Sequence, residues 1–380
     1  MPPRNKKNRK GVRKERVAFR GNRSAPARQK HWTRLVRDEG IEELDTETSE
    51  SVVAKGALSR KRTVIVPDDQ TGDDHVRKLR EGTVVAMRGR VADVDVGDGV
   101  WPCTVRRVLR TRQIKERHPV VVGDRVRFSV VHHGEAIADE GVIESVRSRS
   151  SELSRRSGRR IHVIAANVDQ VLIVSSVATP EPKPHLIDRY IVAALAGRME
   201  PAICLNKIDL IPTADAGDLL QRYRTLGYLT LRTSAVTGQG IDELGKLLAN
   251  KSSVVAGQSG VGKSSLVNAI EPGLNLRVGE IIDHTQKGRH TTSTARLWPL
   301  RSGGYVVDTP GIKSFDVSIV SKPELEMYFE EFVERVADCK FGDCTHIDET
   351  DCAIKAAVDA GDIHPDRYAS YVRLYEEPAT

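Results

Sequence analysis

The sequence is poor in aromatic side chains and has no long apolar run. Aromatic residues make up 4% of its 380 positions. No stretch approaches the roughly 18 apolar residues of a membrane-spanning helix, so we expect no membrane segment. The first residues lack the apolar stretch of a secretory signal, and they are rich in lysine without a clear amphipathic period, which disfavours an organelle transit peptide. These features together predict a cytoplasmic protein.

Cysteine is also scarce, with five in the chain. Three of them lie close together near the C-terminus beside a histidine, which is not typical of a disulfide framework. The pattern Cys339-x4-Cys344-x-His346-x5-Cys352 offers three thiolates and one imidazole, a closed tetrahedral set suited to Zn²⁺. Because the protein fills all four positions, no place remains for a catalytic water. We therefore predict one structural zinc ion.

Charge is unevenly distributed in the first fifty residues. Residues 1–37 contain fourteen Lys and Arg and one Glu, whereas residues 38–50 contain seven Asp and Glu and no basic residue. Blocks of this kind usually stay disordered and solvated. The basic block is either a solvated tail or an arm that binds a polyanion such as nucleic acid. We assign residues 1–80 to a disordered extension and linker.

Residues 81–160 contain short β-patterned runs separated by Gly and Asp. Five predicted strands indicate a small β-barrel of the OB-fold type, a fold that commonly binds oligonucleotides; they cover residues 83–87, 89–94, 100–105, 119–128 and 141–146. The alternative is a plain barrel with a charged surface. RNA binding is favoured because two basic clusters flank the domain; they comprise Arg106, Arg107, Arg110, Arg112, Lys115 and Arg117, then Arg147, Arg149, Arg155, Arg156, Arg159 and Arg160.

Strands and helices alternate over residues 161–318, which is typical of a three-layer α/β domain with a parallel sheet. The predicted strands cover residues 171–174, 202–205, 230–235, 252–256 and 305–307, and a helix covers 264–270. Sheets of this type bind ligands at the carboxyl ends of their strands. Residues 319–380 are predicted to be mainly helical, with one helix opened by Pro323 and another at about 352–360.

A glycine-rich segment after the strand at 252–256 has the pattern G-x-x-x-x-G-K-[ST] of a phosphate-binding loop. Its glycines allow backbone N–H groups to turn toward phosphate oxygens at the positive end of the following helix. We expect Lys263 to reach the β- and γ-phosphates and Ser264 to bind Mg²⁺. The predicted phosphate-binding residues are Gly257, Gln258, Ser259, Gly260, Val261, Gly262, Lys263, Ser264 and Ser265.

A second motif, Asn206-Lys207-Ile208-Asp209, follows the strand at 202–205 and matches the tetrad with which GTPases read the base. The carboxylate of Asp209 can accept hydrogen bonds from guanine N1–H and the exocyclic amine, an arrangement that adenine lacks. Asn206 can serve the O6/N7 side of the base and brace the phosphate loop, and Lys207 can pack along the base. The motif therefore predicts guanine specificity.

The segment Thr233-Ser234-Ala235 resembles the loop whose backbone N–H meets guanine O6, and Ser234 and Ala235 are its predicted nucleotide-binding residues. Together with the tetrad and the phosphate loop, it disfavours an ATPase or a kinase. GTP and GDP are the expected nucleotides.

A third motif begins at Asp308 and ends at Gly311 in the order Asp-x-x-Gly. We expect Asp308 to help hold Mg²⁺ and the N–H of Gly311 to reach the γ-phosphate. The segment between this motif and the phosphate loop contains a candidate first switch, in which a threonine closes on Mg²⁺ when GTP is bound. Thr292 is our choice for this ligand and Thr291 is the alternative. The predicted magnesium set is therefore Ser264, Thr292 and Asp308.

The position after Gly311 is occupied by Ile312, where Ras-type enzymes carry a water-orienting glutamine. An aliphatic side chain cannot orient a nucleophile, so another residue must hold the water. His290 adjoins the switch threonines and is the candidate; the alternative is a solvated switch histidine. The predicted catalytic residues are His290, Lys263, Asp308 and Gly311.

The order of the motifs is unusual, because the base tetrad precedes the phosphate loop. This order of motifs resembles that of a circularly permuted GTPase: the tetrad comes first, followed by the Ser-Ala loop, the phosphate loop, the switch threonine and Asp-x-x-Gly. With a basic barrel before them and the Cys/His pattern after them, residues from about 80 to 375 resemble the RsgA (YjeQ) family. The resemblance implies an OB-fold barrel (81–160), a circularly permuted P-loop GTPase domain (161–318) and a mainly helical zinc-binding domain (319–380).

The same resemblance implies an activity and its partners. The family consists of GTPases that assist late maturation of the small ribosomal subunit and are stimulated by that particle. Small subunits and their rRNA are therefore the expected partners of a monomer that docks with GTP and is released after hydrolysis. The alternative is a GTP-switched regulator that binds a protein partner outside the ribosome and does not need a basic barrel.

Overall fold

The computed structural model of the chain describes residues 12–18, 61–67, 79–106, 120–131, 140–157, 160–211, 217–274, 295–308 and 320–377. The chain divides into two compact units, Met1–Arg77 and Lys78–Thr380. In the first unit, strands β1 (Val12–Ala18) and β2 (Lys61–Pro67) pair in antiparallel fashion. The rest of this unit lies outside the described residues, so its assignment as a disordered extension stays a prediction.

The second unit begins with the predicted barrel. Its strands are β3 (Arg80–Arg88), β4 (Val91–Asp95), β5 (Val100–Val105), β6 (Arg125–Val131) and β7 (Glu140–Val146). They are joined in the order β3-β4-β5-β7-β6, and pairing of β6 with β3 closes the ring. Alternating side chains fill the interior, since strand side chains point to opposite faces with a period of two; fully buried members include Val84, Val94, Cys103, Phe128 and Ile143.

One predicted strand of the barrel, residues 119–128, is shorter in the structure. β6 begins only at Arg125. Before it the chain turns at Gly123, which has a φ of +88°. The carboxylate of Asp124 accepts a hydrogen bond of 2.8 Å from the N–H of Val121 and stabilises this turn. The Gly-Asp pair in the sequence indicates a turn at this point, because glycine adopts positive φ readily and the aspartate side chain bonds to nearby backbone.

A hairpin and a second sheet follow the barrel. The hairpin consists of β8 (Glu152–Ser157) and β9 (Arg160–Ala166). The sheet strands are β10 (Gln170–Ser176), β11 (Glu200–Asn206), β12 (Leu229–Arg232), β13 (Lys251–Ala256), β14 (Arg296–Pro299) and β15 (Gly304–Asp308). The helices are α1 (Pro184–Ala196), α2 (Gly217–Thr225), α3 (Ile241–Leu248) and α4 (Lys263–Ile270).

This sheet has the order β12-β11-β10-β13-β15-β14, and all of its strands except β14 run parallel. β10 is buried along its whole length, as expected of a central strand covered on both faces. β14 runs antiparallel to β15 and also pairs with β3 of the barrel, so barrel and sheet are continuous. The parallel arrangement brings the ends of β11, β13 and β15 to one edge, where the three sequence motifs follow.

The C-terminal part is helical, as predicted. Its α-helices are α5 (Glu330–Val333), α6 (Ala353–Asp359) and α7 (Pro365–Glu376). A 3₁₀ helix, Lys322–Tyr328, precedes them and begins next to Pro323, which was predicted to open a helix. Phe329, Phe332 and Tyr371 pack their rings together at its centre. Within the described parts of the chain, no helix combines the length and the apolar character needed to cross a bilayer.

Candidate nucleotide site and metal cluster

The glycine-rich loop lies between β13 and α4, at the carboxyl edge of the sheet. Gly257 and Gly262 have φ values of +139° and +95°, which favour glycine. A Cβ atom on Gly257 would lie 2.1 Å from the carbonyl oxygen of Val174, and one on Gly262 would lie 2.4 Å from Nδ2 of Asn206. Neither position therefore accepts a larger residue without displacement of its neighbours. The loop has the conformation and the surroundings that a phosphate cradle requires.

Lys263 is the first residue of α4 and its side chain folds back over this loop. Its Nζ donates hydrogen bonds to the carbonyl oxygens of Gly257 at 2.9 Å and Gln258 at 2.7 Å. Lys263 and Ser264 are both buried. A cationic amine thus lies directly on the loop, where it can attract the phosphates of a nucleotide.

Asn206 connects the base tetrad directly to the phosphate loop. Its Nδ2 donates to the carbonyl oxygen of Val261 at 2.8 Å, although the two residues are 55 positions apart. Its Oδ1 accepts a hydrogen bond of 3.2 Å from the hydroxyl of Thr233. Both Asn206 and Thr233 are fully buried, so both bonds are shielded from water. The predicted brace between the two motifs is present, and Thr233 takes part in it, a role that sequence reasoning did not give to this residue.

The other tetrad residues lie around the same edge. Asp209 is exposed to solvent, and its Oδ1 accepts a hydrogen bond from the hydroxyl of Ser234 at 2.5 Å. Lys207 has a φ of +63°, and its Nζ donates to the carbonyl oxygen of Thr179 at 2.6 Å. Ile208, the third residue of the tetrad, is buried. The structure therefore brings the tetrad and the Ser234-Ala235 loop together beside the phosphate loop.

The third motif is described only at its first residue. Asp308 ends β15, which runs parallel to β13, so its backbone lies at the same edge as the phosphate loop. Gly311 and Ile312 lie outside the described residues, as do His290, Thr291 and Thr292. Their assigned roles stay predictions.

Several arginines of the two predicted basic clusters form ion pairs with acidic residues of the barrel. The side chain of Arg149 is largely covered, with 9% exposed, and its guanidinium donates to both carboxylate oxygens of Asp124, at 2.8 and 3.1 Å. Arg147 pairs with Glu81 at 2.5 Å, and Arg106 pairs with Glu144. Arg155 is exposed. The side chains of the other residues in both clusters lie outside the described part. Three of the arginines counted toward an RNA surface are thus engaged in ion pairs.

The predicted zinc ligands converge in the C-terminal part. The ligand atoms of Cys339, Cys344, His346 and Cys352 all lie within 4.8 Å of one another. The Nδ1 atom of His346 lies 3.6 Å from Sγ of Cys339 and 3.4 Å from Sγ of Cys352. A tetrahedral zinc with ordinary bond lengths places sulfur and nitrogen ligands roughly 3.5 Å apart. The four side chains therefore fit a zinc ion.

A second layer of residues orients this cluster. Nε2 of His346 lies 2.8 Å from a carboxylate oxygen of Glu326, so the ring's other nitrogen is directed toward the cysteines. The hydroxyls of Tyr368 and Tyr371 donate to the carbonyl oxygens of His346 at 2.8 Å and Thr345 at 3.0 Å. A carboxylate that accepts from the second nitrogen of a ligating histidine is a common support of metal sites. Sequence spacing alone gave no signal for Glu326.

Similarity to known proteins agrees with these features. Residues 146–318 match the family model described as RsgA GTPase. A protein of Thermotoga petrophila, named small ribosomal subunit biogenesis GTPase RsgA, is 42% identical over 304 residues, which is 78% of this chain and 96% of the relative.

Two crystal structures are also similar. YjeQ from Thermotoga maritima has 37% identity and a TM-score of 0.62, and the match covers 78% of this chain and 97% of YjeQ. YloQ, described as a circularly permuted GTPase, has 31% identity and a TM-score of 0.60, covering 80% of this chain and 96% of YloQ.

These similarities confirm the predicted fold class, a circularly permuted GTPase domain preceded by a five-stranded barrel. They also confirm the predicted enzyme class, a GTP hydrolase. The Cys/His cluster in the C-terminal part is a set of residues that could hold zinc. On sequence identity over most of both chains, the protein belongs to the RsgA GTPase family.

Proposed function

We propose that the protein hydrolyses GTP in the biogenesis of the small ribosomal subunit. The observation that carries the nucleotide part is the hydrogen bond from Asn206 to the carbonyl oxygen of Val261, because it joins the base-reading and phosphate-binding motifs into one pocket. The ribosomal part is supported by the name of the relative with 42% identity.

In this proposal the base lies against the tetrad. The exposed carboxylate of Asp209 accepts from guanine N1–H and the exocyclic amine, and its bond with Ser234 fixes its orientation. Lys207 packs along the base, Asn206 stands at its O6/N7 side, and the backbone at Ala235 meets O6. Specificity for guanine over adenine arises because the donor pattern of guanine satisfies the carboxylate and that of adenine does not.

The phosphates lie in the loop between Gly257 and Ser265. Backbone N–H groups and the positive end of α4 surround them, and Lys263 exchanges its loop carbonyls for phosphate oxygens. Ser264, Thr292 and Asp308 would hold Mg²⁺, which would supply positive charge against the phosphoryl oxygens. Gly311 donates its N–H to the γ-phosphate. His290 orients the attacking water, because Ile312 cannot.

Four further features complete the proposal. The protein is a cytoplasmic monomer, and one structural Zn²⁺ is bound by Cys339, Cys344, His346 and Cys352. The barrel and the basic arm contact rRNA. GTP closes the switch and favours the docked state, and hydrolysis releases the protein.

The experiment compares GTP turnover with and without purified small subunits at saturating GTP. We expect turnover to rise with small subunits and to stay unchanged with large subunits; the variant Lys263→Ala should remain inactive in both. Co-sedimentation with small subunits should be stronger with a non-hydrolysable GTP analogue than with GDP. If small subunits neither stimulate turnover nor bind the protein while GTP is still hydrolysed, the protein partner outside the ribosome is the better hypothesis.

A further inference from the structure

A side-chain hydrogen bond joins the barrel to the strand that leads into the third nucleotide motif. The hydroxyl of Tyr305, in β15, donates a bond of 2.9 Å to Oδ2 of Asp95 at the end of β4, although the two residues are 210 positions apart. Burial, together with the carboxylate of Asp95, raises the pKa of Tyr305 to about 12, so the hydroxyl keeps its proton at neutral pH. The contact is therefore a charge-assisted link between two parts of the molecule.

On the GTPase side, this link acts on a strand of the nucleotide edge. Tyr305 precedes Asp308 by three positions, and Asp308 ends β15 and begins the Asp-x-x-Gly motif. Tyr305 is also the register partner of Ser252 in β13, the strand that leads into the phosphate loop. Paired strands are rigid elements, so a displacement at Tyr305 is passed on toward the end of β15.

On the barrel side, Asp95 holds the turn between β4 and β5. Its Oδ1 accepts a hydrogen bond of 2.8 Å from the N–H of Gly97, and the N–H of Val96 donates to the carbonyl oxygen of Gly99 at 3.0 Å. Gly97 and Gly99 are exposed, and Val100, the next residue, is 58% exposed. The turn is thus accessible to a partner of the barrel, and Asp95 connects it directly to β15.

The junction around this contact is not closely packed. Backbone pairing of β14 with β3 is limited to Arg296 and Ala86, and Met87 packs against the cores of both parts. An open cavity of about 300 Å³ lies beside the hydrogen bond, with Asp95 and Tyr305 in its lining. Small relative movements are the usual behaviour of domains joined in this way, and they would alter the contact between Tyr305 and Asp95.

We propose that the Tyr305–Asp95 hydrogen bond transmits docking of the barrel on its partner to the strand that presents Asp308, and so takes part in the stimulation of GTP hydrolysis. The inference rests on the proposed function, in which small subunits stimulate turnover. Tyr305 is a positioning residue, because it acts on Asp308 through β15. Its hydroxyl should therefore matter for the stimulated reaction and not for the protein alone, where no partner acts on the turn.

The test is the variant Tyr305→Phe, which removes the hydroxyl and keeps the ring. Turnover at saturating GTP is measured without and with saturating small subunits, and co-sedimentation measures docking. The fold-stimulation should fall by at least roughly threefold, as for residues that couple two sites. Turnover of the protein alone and docking should each change by less than about twofold. Tyr228→Phe is the matched control and should be stimulated like the wild type, since the buried Tyr228 hydroxyl has no hydrogen-bond partner in the described part of the chain.

A second variant, Asp95→Ala, removes the acceptor and should also lower the stimulation. Adding Tyr305→Phe to it should cause no further loss, because the two side chains form one contact; a full additional loss would overturn the proposal. Unchanged stimulation in Tyr305→Phe would overturn it, as would a loss explained by weaker docking. An equal loss of turnover with and without small subunits would indicate local distortion of β15 and also overturn it. If the wild type were not stimulated, the proposed function would fail and this inference with it, which is a distinct result.

Discussion

Arg367 and Asp188 are 179 positions apart in the chain, and their side chains meet at 2.6 Å in the interior. Both residues are almost completely buried, with 1% and 0% exposed. The guanidinium also donates to both carboxylate oxygens of Glu331, at 2.6 and 3.0 Å. Nearby carboxylates outweigh burial and raise the pKa of Arg367, so its charge is retained. This cluster fixes α7 of the C-terminal part against α1 of the GTPase domain.

Removal of this arginine should destabilise the protein strongly. Arg367→Met leaves two buried carboxylates without their cation, which costs about 3–5 kcal/mol of unfolding free energy. Urea denaturation followed by circular dichroism measures the change. Arg373→Met is the control, because Arg373 lies on the same helix and is exposed; it should shift the unfolding free energy by less than about 0.5 kcal/mol. Equal stability of the two variants would contradict a structural role for the cluster.

The close contact between the phosphate loop and the tetrad predicts that Gly262→Ala loses nucleotide binding. The new Cβ would lie 2.4 Å from Nδ2 of Asn206, and the φ of +95° disfavours any side chain. We expect at least a roughly tenfold loss of GDP affinity, because both the loop and the brace must shift. Gly99→Ala is the control, since a Cβ at Gly99 meets nothing within 4 Å. Unchanged affinity in Gly262→Ala would show that the loop does not need this conformation.

Base recognition by Asp209 predicts a change of specificity. Asp209→Asn replaces an acceptor by an amide that can donate to the extra carbonyl of xanthine, so preference should shift from GTP toward XTP. A shift of roughly tenfold or more in the ratio of the two affinities is expected for a group that discriminates by paired hydrogen bonds. Asp242→Asn, at an exposed position in α3, should leave this ratio unchanged. Retention of wild-type GTP affinity in Asp209→Asn would count against the base assignment.

The contact between Glu326 and His346 predicts a supporting role in zinc binding. Glu326→Gln replaces the carboxylate at 2.8 Å from Nε2 by a neutral amide, and zinc affinity should fall roughly 10–100-fold. Competition with a chromophoric chelator measures this affinity. Glu334→Gln is the control, because Glu334 is exposed. Cys352→Ser should bind less than one zinc per chain by elemental analysis; full occupancy in that variant would contradict the proposed ligand set.

The architecture could be predicted from the sequence because each motif requires a particular local structure beside it, a strand before it or a helix after it. The strand before Asn206, the strand before Gly257 and the helix starting near Ser264 all occur where expected. The cysteine and histidine spacing likewise predicted side chains that converge in space.

Side-chain contacts between residues far apart in the sequence could not be predicted in this way. Thr233 and Glu326 lie in ordinary loop or helical segments, and their roles depend on which residue the fold brings opposite them. The ion-pair partners of the basic clusters were missed for the same reason. A count of arginines does not show that Arg149 forms an ion pair with Asp124. Acidic partners distant in sequence decide whether a basic residue is available to RNA.

The most direct test of the central claim, a single pocket that joins the tetrad to the phosphate loop and selects guanine, is titration calorimetry of the wild-type protein with GDP, GTP and ATP in the presence of Mg²⁺. We predict one binding event per chain for GDP and GTP and no detectable binding of ATP at the same concentration. Equal affinity for ATP and GTP, or absence of binding to both, would contradict the claim.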